Sequence, residues 1–297
     1  MPSANRSALL ALALAVMVLV WAYSWIVMKQ MLRYVGPFDF VALRYFGGSL
    51  VLLAALALRG ESLRPPPLRL TLATGLFQTT GFQALAQWAL VTGGAGRVSL
   101  LSYTMPFWAV LLAWWVLRER PSRRQWLGVA LAAAGLLAVV EPWQGLGGMH
   151  STVLAILGGA SWATGTVLSK RMFELHAPSP LAFTAWQMLL GSLLLAAIAL
   201  VVPSRPIEWA PAFIAGLAYC VLLASSLAWV LWLFVLKSLP TTVASLSSLA
   251  VPVTAILMAW ALLDERPDTA ETIGIALILL GLWAVSGGAR KHGRAPT

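Results

Sequence analysis

The sequence predicts an all-α membrane protein of ten transmembrane helices, arranged as two inverted five-helix repeats, and three observations carry that reading. Of 297 residues, 60% are hydrophobic and only 10% charged, with a mean hydropathy of +0.84. A soluble domain carries about 25% charged residues because its surface meets water. Here most of the surface must meet something apolar, and helices that satisfy their own backbone are the membrane solution. Apolar runs long enough for a hydrocarbon core of ~30 Å then recur along the chain. Finally, the second part of the chain repeats the first.

The runs fall near 8–28, 38–58, 69–91, 96–117, 125–140, 151–170, 181–202, 210–236, 242–263 and 270–288, between charge, Pro and Gly punctuation. Run 1 follows Arg6 and could be taken for a signal peptide, but it continues through Trp25 to Met28 and has a counterpart later, so a retained helix is expected. It carries Trp21, Ser24 and Trp25. Run 2 starts behind Pro37 and holds Arg44, a charge inside a span. Such a residue is a functional candidate by default. From about 9 Å deep it could equally snorkel to the outer interface as an anchor. Run 3 bears Thr79, Thr80, Gln83 and Gln87, a polar face at helical spacing that reads as cavity lining or as glue between helices.

Run 4 carries Ser99, Ser102, Tyr103 and Pro106, and run 9 carries Ser245, Ser248 and Pro252. A proline cannot donate to the carbonyl four residues back, so Pro106 and Pro252 should free the carbonyls of Ser102 and Ser248 and mark hinges. Runs 5 and 10 hold Gly128, Gly135, Gly274 and Gly281, which suit close helix packing, as scaffold or as a dimer face. Run 6 places Trp162 opposite Trp21, and run 8 places Ser225, Ser226 and Trp229 opposite Thr79, Thr80 and Gln83. Trp88, Trp126, Trp143 and Trp209 read as interfacial belt residues.

Fourteen Lys and Arg residues fall on the face that would hold the N-terminus, against five on the other, so both termini are expected in the cytoplasm of a plasma (inner) membrane. The net charge of +10 is spread over short loops and offers no groove for nucleic acid. A single cysteine, Cys220, excludes an intramolecular disulfide and a cysteine zinc site, and no cofactor or metal is expected.

A shift of 146 residues aligns 99–139 with 245–285 without a gap, and 19 of 41 positions are identical. Weaker matches pair Trp21 with Trp162, Lys29 with Lys170, Arg44 with Gln187, and Gly48-Ser49-Leu50 with Gly191-Ser192-Leu193. The halves are therefore 1–145 and 146–297. Five spans per half is odd, so the second half should enter from the opposite side. The loop charges agree: Arg118-Glu119-Arg120-Pro121-Ser122-Arg123-Arg124 is basic, whereas Asp264-Glu265-Arg266-Pro267-Asp268 is net acidic. Inverted repeats around a midplane site are the architecture of alternating-access carriers.

A mid-helix Pro, an apolar run, a Glu-Arg-Pro loop and a helix with glycines seven apart, all given twice, resemble the EamA-type drug/metabolite transporter superfamily, and within it most of all the YddG aromatic amino-acid exporters. The resemblance implies ten helices with substrate held between the halves, and outward net transport. The residues themselves add an exclusion. Every Asp and Glu, from Asp39 to Glu271, and all three histidines lie in or beside loops. An intramembrane enzyme would need buried His or Asp, so no enzyme is expected. Proton coupling would need the same groups, so a facilitative uniporter is expected, monomeric or homodimeric. The expected substrate is a small neutral or zwitterionic metabolite, an amino acid with an aromatic or apolar side chain. The alternatives are phosphorylated sugars, nucleotide sugars or hydrophobic drugs on the same fold.

Overall fold

Apolar runs bounded by proline and glycine become helices in the computed structural model, which describes residues 3–116, 122–140, 149–239, 247, 248, 250–266 and 268–289. In order these are α1 (Ser3–Met31), α2 (Pro37–Leu58), α3 (Leu68–Thr74), α4 (Phe82–Thr92), α5 (Ala95–Ser102), α6 (Met105–Val116), α7 (Arg123–Val140), α8 (Met149–His176), α9 (Pro180–Val201), α10 (Pro211–Tyr219), α11 (Ala228–Ser238), α12 (Ala250–Leu263) and α13 (Thr269–Ala289). Among the described residues six stretches are long and apolar enough to cross a membrane: Ser7–Met31, Pro37–Leu58, Ala95–Val116, Met149–His176, Pro180–Val201 and Pro211–Val235. No strand occurs among the described residues. Leu12, Leu50, Leu200, Leu222 and Ile273 are among many large apolar side chains left exposed, as lipid contact requires.

Proline occupies the first position of α2, α9 and α10, where its missing N–H is no loss. α2 ends in a Schellman turn: Gly60 takes φ 65°, Glu61 N–H donates to the Leu56 carbonyl, and Gly60 N–H to that of Ala57.

Two π-helical turns interrupt otherwise continuous helix, Gly75–Gly81 between α3 and α4, and Cys220–Leu227 between α10 and α11. They fall at equivalent positions of the sequence repeat. Each packs on the second helix of the other half: the first on α9, the second on α2. The approach is close. A Cβ on Gly191 would lie 2.5 Å from the Thr79 Cβ, and one on Gly48 2.8 Å from the Ser225 Cβ. Thr80 Oγ1 donates to the Gly191 carbonyl (2.9 Å), and Ser226 Oγ to that of Gly48 (3.4 Å).

α7 and α13 pair with each other at the periphery. There a Cβ on Gly135 would meet the Gly274 carbonyl at 2.7 Å, the close packing that the glycine spacing predicts. The basic loop at 118–124 lies largely outside the described residues.

Contacts between connections sort the helix ends. At one end Lys29 Nζ donates to Leu90 and Gly93 carbonyls, Glu208 N–H to the Tyr34 carbonyl, and Ser151 Oγ to the Ala89 carbonyl. Asp39 and Ser204 are hydrogen-bonded there too. At the opposite end Ser179 Oγ donates to Glu61 Oε2 and Trp186 Nε1 to the Leu63 carbonyl. α1 thus finishes at the end where α8 begins.

Candidate functional site

The middle of the molecule is aromatic, and helices from both parts of the chain contribute. α1 presents Trp21, Ser24, Trp25 and Met28, one stripe at helical spacing. α2 adds Arg44 and Tyr45, α4 adds Phe82 and Gln83, the α5–α6 junction adds Tyr103 and Met105, and α8 and α11 add Trp162 and Trp229. These side chains line a chamber of about 40 Å³. Sites that hold a small molecule measure ~300–1,000 Å³, so the chamber is shut around itself.

Ring–ring contacts fill the space. Trp162 and Trp229 lie 5.2 Å apart between centroids, Trp21 stands edge-on to both at 6.3 and 6.2 Å, and Phe82 packs edge-on to Trp162 at 4.8 Å. Trp21 Nε1 donates to the Ala224 carbonyl at 3.0 Å, inside the second π-helical turn.

Arg44 is the one charged residue of the lining among the described residues. The sequence left open an anchor that snorkels outward, and the structure turns the side chain inward instead: Arg44 is 3% exposed. Its Nε donates to Ser225 Oγ at 2.8 Å, Nη1 meets Met28 Sδ at 2.9 Å, and the guanidinium lies 5.0 Å from the Tyr45 ring. Among the described residues no carboxylate pairs with it. The helix geometry explains the inward course, since the face of α2 that bears Arg44 packs on the Cys220–Leu227 turn.

Of the residues singled out from sequence, Trp21, Ser24, Arg44, Gln83, Tyr103, Trp162 and Trp229 meet at the chamber. Thr79, Thr80 and Ser225 do not line it. Thr79 Oγ1 donates to Gln187 Oε1 at 2.8 Å, Thr80 to Gly191, and Ser225 accepts from Arg44. They join helices, which is the gluing role. Ser99 donates back to the Gly96 carbonyl, and Ser102 is fully buried outside the lining. Ser245 lies outside the described residues; Ser248 is buried away from the chamber.

The two prolines stand beside helix interruptions, and of the two carbonyls expected to be freed only that of Ser248 is paired among the described residues. The fourth run is not one kinked helix: α5 stops at Ser102 and α6 restarts at Met105, so Pro106 sits in a first turn, where proline is tolerated. The Ser102 carbonyl abuts Gly159 of α8, where a Cβ would come within 2.6 Å. The Ser248 carbonyl, by contrast, accepts from Val251 N–H at 2.9 Å, a tight turn ahead of Pro252.

Sequence reasoning passed over Met28, Tyr45, Phe82 and Met105. Met28 continues the Trp21–Trp25 stripe, so its spacing was a usable signal. The others carry none, being ordinary apolar residues beside polar ones.

Above the chamber, at the Lys29 end, lies a vestibule of about 900 Å³ lined by residues including Lys29, Arg33, Phe38, Trp88, Arg205 and Glu265. It shares no lining residue with the chamber, although α1 gives Met28 to one and Lys29 to the other, and α4 Gln83 and Ala84. Glu265 Oε2 accepts from Gly96 N–H at 3.4 Å.

Comparison with known proteins matches this arrangement to a family. The model of the EamA-like transporter family matches residues 7–140 and again 150–287. A protein of Salmonella typhimurium named a probable amino-acid metabolite efflux pump is 30% identical over 286 residues, 92% of each chain. The protein of that name in Escherichia coli is 29% identical over 286 residues, again 92% of each chain. The uncharacterized transporter YoaV of Bacillus subtilis is 24% identical over 271 residues, 89% of this chain and 92% of its own. A crystal structure of a protein 22% identical superposes with a TM-score of 0.72 over 97% of this chain and 99% of that one, a likeness of fold.

Proposed function

This chain belongs to the EamA-like transporter family and is an integral membrane transporter, and from that premise we propose that it carries a small amino acid with an aromatic or apolar side chain by alternating access. The observation that carries the reading is Arg44: a buried guanidinium without a carboxylate partner among the described residues, set in a shell of tryptophan, tyrosine and phenylalanine rings. A buried cation calls for an anion, and the rings call for a flat apolar body. The printed names of the Salmonella and Escherichia relatives point the same way.

In this reading the two halves, 1–145 and 146–297, are inverted repeats of five spans. The course of α1 and α8, which meet the same end with opposite polarity, supports it. The halves rock about the breaks near Pro106 and Pro252, and the chamber opens when the ring contacts between α1 and the pair α8–α11 part. Phosphorylated sugars would need more than one cation, and among the described residues Arg44 is the one cation of the lining. Export is the expected net direction.

Uptake of labelled substrates into proteoliposomes tests the proposal. Phenylalanine, tryptophan and leucine should enter and exchange, and Arg44→Gln should abolish that flux. Transport of a sugar phosphate, with none of these amino acids moving, overturns it.

A further inference from the structure

Resting on the amino-acid reading above, we propose that Arg44 and Gln83 are the two ends of a zwitterion clamp, Arg44 for the carboxylate and the Gln83 side-chain oxygen for the ammonium. Both residues line the chamber, one from α2 and the other from α4. Gln83 Oε1 is buried with no hydrogen-bond partner among the described residues, although the residue is only 4% exposed.

A buried amide oxygen left unpaired is expensive, on the scale of a lost hydrogen bond or more. The neighbouring amides each leave one buried atom unpaired as well, Gln87 Oε1 and Gln187 Nε2, but neither residue lines the chamber. Gln87, one turn along, donates through Nε2 to the Met28 carbonyl at 3.4 Å and stays out of the lining. Gln187, the sequence counterpart of Arg44, accepts from Thr79. Gln83 is the amide of this set that faces the chamber, and its acceptor is unused there.

Chemistry assigns the ends. A guanidinium only donates, so its partner must be an acceptor such as a carboxylate. An ammonium only donates, and needs acceptors in a region that lacks carboxylates. Gln83 Oε1 supplies one, and the indole rings of Trp162 and Trp229, which line the same chamber, attract cations as well. The apolar side chain of the substrate is left for Trp21, Phe82 and Tyr103. The arrangement therefore selects α-amino acids against molecules that keep the ring but lose one charge.

The counterparts in the repeat fit a clamp that is used once rather than twice. Gln83 aligns with Trp229 and Arg44 with Gln187, so the repeat does not reproduce the polar pair. One zwitterion is held, and its orientation is fixed.

The test uses the full chain in lipid nanodiscs and three probes: phenylalanine, 3-phenylpropionate, which lacks the amine, and 2-phenylethylamine, which lacks the carboxylate. Binding is read by isothermal calorimetry, and the protein should bind phenylalanine about tenfold or more tighter than either half-analogue, as a hydrogen bond to a charged group implies. Gln83→Met should bring phenylalanine and 3-phenylpropionate to similar affinity, while phenylalanine still outbinds 2-phenylethylamine. Gln83→Glu, which keeps shape and strengthens the acceptor, should widen the preference for phenylalanine over 3-phenylpropionate. Arg44→Met should close the gap to 2-phenylethylamine instead. If both Gln83 variants weaken phenylalanine and 3-phenylpropionate by the same factor, the clamp is overturned while the amino-acid reading stands. If the unaltered protein binds none of the three, the clamp and the amino-acid reading fall together.

Discussion

Arg44 and the glycines that face it show how single residues set this interior. A charged side chain inside a span is costly, up to roughly 2.5–3.5 kcal/mol at the centre on insertion scales, and Arg44 offsets part of its cost through Ser225 and the Tyr45 ring. Ser225 can reach it because Gly48, one turn along α2, lets the Cys220–Leu227 turn come within contact. The same device recurs at Gly191 and Thr79. Gly191→Val would push α9 off the first π-helical turn, overpacking that costs about 1–3 kcal/mol. Its melting temperature in detergent should fall well below that of Thr80→Val, which loses one interhelical hydrogen bond at about 0.6 kcal/mol. Equal melting temperatures would mean that the contact is not tight. The residue types at the site were legible and their roles only partly so. Trp21 and Trp162 meet as repeat and spacing imply, but a hydroxyl at helical spacing has the same signature in a wall and in a joint. Thr79, Thr80 and Ser225 went to joints because a glycine stood opposite each contact, and that fact belongs to tertiary packing.

At the scale of elements, helix existence followed from apolar length, and helix interruption did not. Nothing in the composition of 75–81 or 220–227 announces a π-helical turn, since the extra residue per turn is set by what the helix packs on. The break at Tyr103 and Thr104 is similar: proline marked the place but not the restart. Elements are also tied at their ends. Lys29, near the end of α1, holds the Leu90 and Gly93 carbonyls at the end of α4, and Glu265, after α12, accepts from the Gly96 N–H in the first turn of α5 while acting on Lys29 electrostatically. Glu265 thus links the two halves beside the vestibule. Removing that link should loosen the partition between vestibule and chamber. With Cys220→Ser and Ser24→Cys as background, the added change Glu265→Ala should raise the rate at which a membrane-impermeant maleimide labels the chamber cysteine. An unchanged rate would show that Glu265 plays no part in closing this end.

For the whole molecule, sidedness and energy coupling follow from where charge is and where it is not. Cysteines placed at Ser122 and Asp268 should label from opposite sides of a sealed vesicle, the first from the cytoplasmic side; labelling of both from one side would end the inverted-repeat proposal. Coupling is the harder question. A proton-driven carrier needs a group that binds a proton at one face and releases it at the other, and burial and partners must bring its pKa near physiological values. The chamber lining offers Arg44, whose guanidinium stays protonated, and tyrosine hydroxyls that titrate near 10 in water. Carboxylates stand at the ends of the helices, Asp39 beside Ser204 and Glu265 beside Gly96. Glu141, after the fifth run, lies outside the described residues. With no carboxylate or histidine among the described residues that line the chamber, the substrate's own gradient should drive the cycle. Flux of phenylalanine into proteoliposomes should therefore stop when inside and outside concentrations match, with or without a pH difference. The decisive measurement imposes only that difference and follows labelled substrate against its gradient. Accumulation that an uncoupler abolishes would overturn uniport and turn attention to Glu265, the carboxylate that lines the vestibule. In that event Glu265→Gln should leave exchange intact and remove accumulation, because exchange needs only the substrate to turn the carrier over.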